Sequence, residues 1–269
     1  MIDEAAAKSK KRRLLSGLGK LDSLMVAFSG GVDSAFLLTA ATEALGEKVV
    51  AATAVSTIHP RREQDAAVSF ARKRHIGHVL VQTDEIEISE FAANGIDRCY
   101  HCKKALSIKL FQMAEEKAIN HVAHGANIDD LDDYRPGFRA AQEAGLIAPL
   151  VDVGLGKEEI RFLAKGMGLS EWDKPAMACL ATRVPYGSVI TEKKLNMVEA
   201  AEEFLLTLDT GFRGLRVRHH GAVARIEADP VNFGKIVSEK IRTVIVERLC
   251  AIGFEHVSLD LEEIGRAHV

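Results

Sequence analysis

The chain has 269 residues, 47% hydrophobic and 27% charged, with a formal net charge of −3. At about 150 residues per domain, that length allows one large domain or two modest ones, and the apolar share excludes wholesale disorder. The acidic balance argues against a long nucleic acid as partner, and no apolar run reaches the ~18 residues of a membrane-spanning helix.

The N-terminal "KSKKRR" lacks the apolar core of a secretory signal, and Asp3 and Glu4 argue against a transit peptide. A solvated helix and a cytoplasmic location are therefore expected. Thiols stay reduced there, so a cysteine cluster points to metal binding or catalysis rather than to a disulfide.

"LMVAF" (24–28) reads as a buried parallel strand ended by "SGG". "VDSAFLLTAATEALG" reads as a helix with Phe36, Leu37, Ala40, Ala41 and Ala44 on one face and Gly46 as its C-terminal cap. A second strand is "KVVAATAV" (48–55), and the helix "PRREQDAAVSFARKRHI" has Pro60 near its first turn. "HVLVQT" (78–83) and "HVAHG" (121–125) are the third and fourth strands, separated by the helix "CKKALSIKLFQMAEEKAI". "GLIAPLVDVG" holds an expected fifth strand before the helix "GKEEIRFLAKGMG". Strands alternating with helices predict a doubly wound, mostly parallel α/β sheet, whose ligands bind at the carboxyl ends of the strands.

After "RVPYG" (183–187) the pattern changes. A helix over about 191–207 precedes two extended runs in "GLRVRHHGAVARIEAD", with His219 and His220 read as turn residues beside Gly221. "VNFGKIVSEKIRTVIVERLCAIG" reads as one long helix with Val237, Ile241, Val244 and Ile245 inward and Cys250 in the core, and "HVSLDLE" as a closing strand. The expected domains are an α/β domain over 1–185 and a smaller α+β domain over 186–269.

The stretch "FSGGVDSAF" lies where the first strand meets its helix. Gly30 and Gly31 let the backbone turn sharply, Ser29, Asp33 and Ser34 add side-chain oxygens, and the helix N-terminus is an anion site. With no Lys at its end this is not a Walker A loop, and it is not G-x-G-x-x-G. Ser-Gly-Gly-x-Asp-Ser after a first strand resembles the pyrophosphate loop of the PP-loop ATP pyrophosphatase superfamily, whose members adenylate a substrate and release pyrophosphate. "HGANIDD" (124–130) resembles the superfamily's second motif, with Asp129 or Asp130 as a Mg²⁺ ligand, and Ser56 after the second strand is placed to touch adenosine.

Cys99 and Cys102 in "DRCYHCK" read, by themselves, as a redox pair, half of a metal site or two buried thiols, and Cys179 lies in the connecting segment "KPAMACLATRVPYG". These stretches, with "GANIDDLDDYRPGFRAAQEAG", resemble the LarE family of pyridinium-3,5-biscarboxylic acid mononucleotide sulfurtransferases, and the resemblance extends over most of residues 20–190. The "DYRPG" and "ACLATRVPYG" blocks set that family apart from other pyrophosphate-loop thiolases. The resemblance implies an ATP-dependent enzyme that adenylates a pyridinium carboxylate and replaces the activated oxygen with sulfur, toward a nickel-pincer nucleotide cofactor. It implies a small-molecule nucleotide substrate, a sulfide donor and a homo-oligomer.

In one branch of that family a cysteine matching Cys179 gives up its own sulfur. In the other, three cysteines hold a [4Fe–4S] cluster, and Cys99, Cys102 and Cys179 match the second branch, leaving one iron open to sulfide. A zinc site including His101, or a disulfide-exchange pair with Cys179 as donor, are the alternatives. Arg98, Lys103, Arg135, Lys174 and Arg183 fall inside the family-like blocks and are candidates to bind substrate phosphate or carboxylate, or to form structural ion pairs; Arg216 and Arg218 share a strand face for a phosphate or a subunit contact. Competing functions are a tRNA thiolation enzyme, an amide-forming synthetase with a zinc-stabilised loop, and a nucleotide-binding module without activity.

Overall fold

The computed structural model describes residues 2–131, 135–175, 178–208, 212, 214–262 and 264. In chain order the elements are α1 (Glu4–Leu18), β1 (Leu24–Ala27), α2 (Val32–Leu45), β2 (Val49–Val55), α3 (Arg61–Lys73), β3 (Gly77–Gln82), α4 (Ser89–Ala92), α5 (Arg98–Glu116) and β4 (His121–His124). Then follow α6 (Pro136–Glu143), α7 (Pro149–Asp152), α8 (Lys157–Gly166), α9 (Glu192–Thr207), β5 (Arg216–His220), β6 (Val223–Glu227), α10 (Phe233–Val237), α11 (Glu239–Ile252) and β7 (His256–Leu259). Contacts divide the chain into two units, residues 1–85 with 97–177, and 86–96 with 178–269. The expected boundary at 185 differs by placing 178–185 and 86–96 in the first domain.

The first unit is an α/β fold around a parallel sheet in the order β3-β2-β1-β4. Successive strand residues face opposite sides. Leu24 and Val26 of β1 enter the apolar cluster of α1, α2 and α8, and Met25 enters the one that includes Leu110, Ala114 and Ala141 of α5 and α6. Both faces are covered, which is why the strands read as continuous apolar runs. Helix α2 is buried nearly all round, beyond the single face its periodicity shows, because α1 and α8 cover its outer side.

The expected fifth strand does not form among the described residues. Ile147 makes one parallel bridge to Ala123, and the chain turns into α7 at Pro149, whose missing N–H suits a helix start and not a ladder. The "DDLDD" loop and "DYRPG" block fall partly on residues 132–134, outside the described residues.

The second unit carries a three-stranded sheet, β5 antiparallel to β6 and β6 parallel to β7. His219 and His220 belong to β5 rather than to the turn, and His219 is buried. Buried Asn94 explains why 86–96 joins this unit. Its side-chain amide lies 2.7 Å from the Pro185 carbonyl and 2.9 Å from that of Ser188, and its own carbonyl accepts from Gly187 N–H at 3.1 Å.

The expected long last helix is broken at Ser238, whose backbone is extended. The break resets the helical phase. Ile245 and Leu249 point inward, while Val237 and Val244 are exposed. Cys250, about 100° round the helix from Leu249, is an exposed thiol and not a core residue.

Two buried ion pairs tie this unit together. Arg183 Nε donates to Glu202 Oε1 at 2.8 Å, and that oxygen also accepts from Val217 N–H at 3.1 Å. Arg218 pairs with Glu227 through two bonds of 2.8 Å and donates to the Thr182 carbonyl at 2.8 Å. Removing one partner of such a pair leaves an uncompensated charge. Glu202→Ala is expected to lower stability by about 3–5 kcal/mol, while replacing Arg183 and Glu202 together by apolar residues of similar volume costs less. Urea denaturation of both variants checks this.

Candidate active site

The strand order places a topological switch between β1 and β4, since the chain leaves β1 toward β2 on one side and reaches β4 on the other. The glycine loop follows β1 at that point. Gly30 takes a positive φ of 73°, and Gly31 is the N-cap of α2. Ser34 Oγ donates to the Gly31 carbonyl at 3.0 Å and lies 3.2 Å from Ser29 Oγ. The two serines fold the loop back on the first turn of α2: Ser29 N–H donates to Ser34 Oγ at 3.3 Å and Gly31 N–H to Ser29 Oγ at 3.5 Å.

Two lysines from distant segments supply the positive charge the loop itself lacks. Lys174 Nζ donates to the Gly30 carbonyl at 3.0 Å and to Glu63 Oε2 at 2.6 Å. Arg161 holds that segment by donating to the carbonyls of Trp172 and Lys174 at 2.9 and 3.0 Å. Lys157 forms an ion pair with Asp33. Burial pushes the Asp33 carboxyl above the usual carboxylate range, and the Lys157 ammonium pulls it back.

The motif after β4 forms the other wall. A Cβ on Gly125 would stand 2.9 Å from Ser34 N and 3.0 Å from Ser34 Cα. Asn127 and Asp130 cap the following turn reciprocally. Asp129 Oδ2 accepts from Lys157 N–H at 2.7 Å, fixing the start of α8 and hence the root of the lysine that reaches Asp33. Asp130 pairs with Arg135 at 2.9 Å.

Cys99 and Cys102 stand three residues apart at the start of α5, partly exposed and not in a disulfide. Gly137 of α6 lets its backbone approach there, its Cβ position 3.4 Å from the Cys99 carbonyl. Arg98 beside them is buried. Burial pushes Lys103 down and takes His124, at the end of β4, to about 3, with the Lys103 charge adding to the His124 shift.

No family model matches the chain. It is 34% identical to the pyridinium-3,5-bisthiocarboxylic acid mononucleotide synthase of Lactiplantibacillus plantarum, over 96% of this chain and 92% of that protein. The chain belongs to this synthase family. An uncharacterized protein of Synechocystis is 40% identical over 95% of this chain and 94% of its own length. One subunit of the glutamine-hydrolyzing GMP synthase of Methanoculleus marisnigri is 27% identical over 77% of this chain and 76% of its own length.

In this synthase family member Ser29, Gly30, Gly31, Asp33, Ser34, Ser56, Asp129, Arg98, Cys99 and Cys102 fall in the first unit, and Cys179 and Arg183 in the second. The loop residues and Asp129 are brought together through Lys157. Arg183 is buried on Glu202 and donates to the carbonyls of Ala178 at 2.9 Å and Cys179 at 3.3 Å, so it fixes the backbone that carries Cys179. Arg218 is engaged by Glu227. Sequence reasoning missed Lys157, which meets Asp33 from 124 positions away. Within either unit, among the described residues, no three His, Cys, Asp or Glu side chains gather as a metal site. Among the described residues, no helix is long and apolar enough to cross a membrane.

Gly125→Ala is expected to displace the loop backbone, because the neighbours its Cβ meets are main-chain atoms of Ser34 and Asp33. The cost is about 1–3 kcal/mol, read as a lower melting temperature and a lower urea midpoint. His124 gives a pH signature. Its folded value, about 3, lies below its ordinary value of 6.5, so its contribution is complete above pH 6.5 and is lost as pH falls toward 3. His124→Gln is expected to remove about 2 kcal/mol of the acid destabilisation at pH 5, measured by denaturation at pH 5 and pH 7.5.

Proposed function

We propose that the chain is an ATP-dependent sulfurtransferase that adenylates a carboxylate of a pyridinium dicarboxylate mononucleotide and exchanges the activated oxygen for sulfur. The observation that carries this reading is the glycine loop at the switch point, with Lys157 and Lys174 brought to it, in a chain that shares 34% of its residues with a synthase of that product class.

The substrate carboxylate oxygen attacks the α-phosphorus of ATP, and the α–β bridging oxygen leaves with pyrophosphate. The amides of Val32 to Ser34, Lys157 and Lys174 receive the charge that grows on the departing phosphates. Asp33 Oδ1, buried and without a hydrogen-bond partner among the described residues, suits a Mg²⁺ ligand, with Asp129 the second candidate; Mg²⁺ there would neutralise phosphate oxygens. A carboxylate oxygen leaves poorly and AMP leaves well. A sulfur nucleophile then adds to the acyl carbon, and AMP departs with one former carboxylate oxygen.

For the sulfur, the reading favours Cys99, Cys102 and Cys179 as holders of a [4Fe–4S] cluster. The first two are thiols on one helical turn, and soft thiolates suit iron. Such a cluster would supply an iron position open to exogenous sulfide. Ser56 and Arg98 belong to the nucleotide-binding set in this reading, Arg183 positions Cys179, and the enzyme is a cytoplasmic homo-oligomer.

Asp33→Ala and Ser34→Ala are each expected to abolish formation of AMP and pyrophosphate. ADP and phosphate as wild-type products would overturn the adenylation reading. Cys99→Ala, Cys102→Ala and Cys179→Ala are each expected to remove sulfide-dependent multiple turnover under anaerobic conditions while ATP cleavage survives. Full single-turnover transfer by the first two variants, with wild-type protein lighter by one H₂S at Cys179, would replace the cluster by a sacrificial cysteine.

A further inference from the structure

At the carboxyl ends of β2 and β3 lies a set of polar groups of which the chemistry above uses only Ser56. The register pairs Val55 with Gln82, so the next rung sets Ser56 beside Thr83, and Thr83 N–H donates to the Val55 carbonyl at 3.0 Å. His59 is held by the turn that follows: its N–H donates to the Ser56 carbonyl at 3.2 Å, and Gln64 Nε2 donates to the His59 carbonyl at 2.8 Å. Glu85, two residues beyond Thr83, is 2% exposed. Ser56 Oγ, Thr83 Oγ1, His59 Nε2 and both Glu85 carboxylate oxygens are buried without a hydrogen-bond partner among the described residues. Each such atom carries a desolvation cost, and folded proteins seldom leave even a few of them unmatched.

We infer that Ser56, His59, Thr83 and Glu85 form a subsite for the ribose diol of a nucleotide. This rests on the nucleotide chemistry proposed above. A carboxylate only accepts hydrogen bonds, so its partner must bring donors. A vicinal diol brings two O–H groups for the two Glu85 oxygens and accepts in turn from the Ser56 and Thr83 hydroxyls. A phosphate or carboxylate ligand would be repelled by Glu85. A hard cation would find one carboxylate and two hydroxyls, fewer oxygens than it takes, beside a His59 on which the opposed charges of Glu85 and Lys103 both act. An acidic side chain at a strand end accepts ribose hydroxyls in other doubly wound nucleotide sites. Two riboses are available, that of ATP and that of the mononucleotide substrate.

The test is calorimetric binding of ATP, 2′,3′-dideoxy-ATP and the pyridinium dicarboxylate mononucleotide to wild-type protein, Glu85→Gln and Ser56→Ala. If the ATP ribose binds here, wild type holds ATP about tenfold or more tightly than the dideoxy analogue, and Glu85→Gln erases the difference. If the substrate ribose binds here, the two ATP forms bind alike, and Glu85→Gln weakens the mononucleotide about tenfold with ATP unchanged. Ser56→Ala shifts the same ligand by a smaller factor and guards against misfolding of the first variant. Folded variants that alter neither ligand overturn the subsite. Release of ADP and phosphate, with the diol discrimination intact, would sink the adenylation reading and leave the subsite standing.

Discussion

The active end of the first unit depends on one close approach between backbones. Gly125, just after β4, lies against Ser34 and Asp33 with no room for a Cβ. That contact bridges the switch point of the sheet, where β1 and β4 are parallel neighbours but their following segments diverge. It brings the turn at Asn127–Asp130 beside the glycine loop, and Asp129 then fixes the start of α8 and the root of Lys157. A larger residue at 125 would move several of these together, because each is held by the one before it.

Charge at the loop is arranged from outside it. A Walker A loop carries its own lysine; here Lys157 and Lys174 come from segments more than a hundred residues away, anchored on Asp33 and on Glu63 with the Gly30 carbonyl. Asp33 is only partly satisfied, raised by burial and lowered by Lys157. In the proposed reading an incoming phosphate would offer Lys157 a second anion, and a divalent cation would offer Asp33 a second positive charge. The second unit handles charge differently. Arg183 and Arg218 are sunk into bidentate pairs with Glu202 and Glu227, so they hold backbone in place, including the carbonyls beside Cys179.

Much of this was legible in the sequence where the signal is local. The runs read at 24–28, 48–55 and 121–125 hold strands because both faces of the sheet are covered, and Gly30 and Gly31 announce the loop between β1 and α2. Two misreadings turn on a single residue within the segment, and the others turn on the partner. Ile147 lies beside Ala123, yet Pro149 ends the pairing after one bridge. The last helix reads as continuous until Ser238 breaks it and rotates Val244 and Cys250 outward. Residues 86–96 join the second unit because Asn94 bonds to 185 and 188, a pairing that no periodicity encodes. Lys157, His59 and Glu85 were illegible for the same reason, since tertiary placement alone gives them neighbours worth naming.

The central claim is that a substrate carboxylate, and not water or a protein group, attacks the α-phosphorus of ATP. It is tested most directly by giving the enzyme pyridinium dicarboxylate mononucleotide labelled with ¹⁸O in its carboxylates, with ATP and sulfide, and reading the phosphorus spectrum of the products. The account predicts one ¹⁸O in AMP for each oxygen exchanged and none in pyrophosphate. Unlabelled AMP alongside thiolated product, or ¹⁸O in inorganic phosphate, would contradict it.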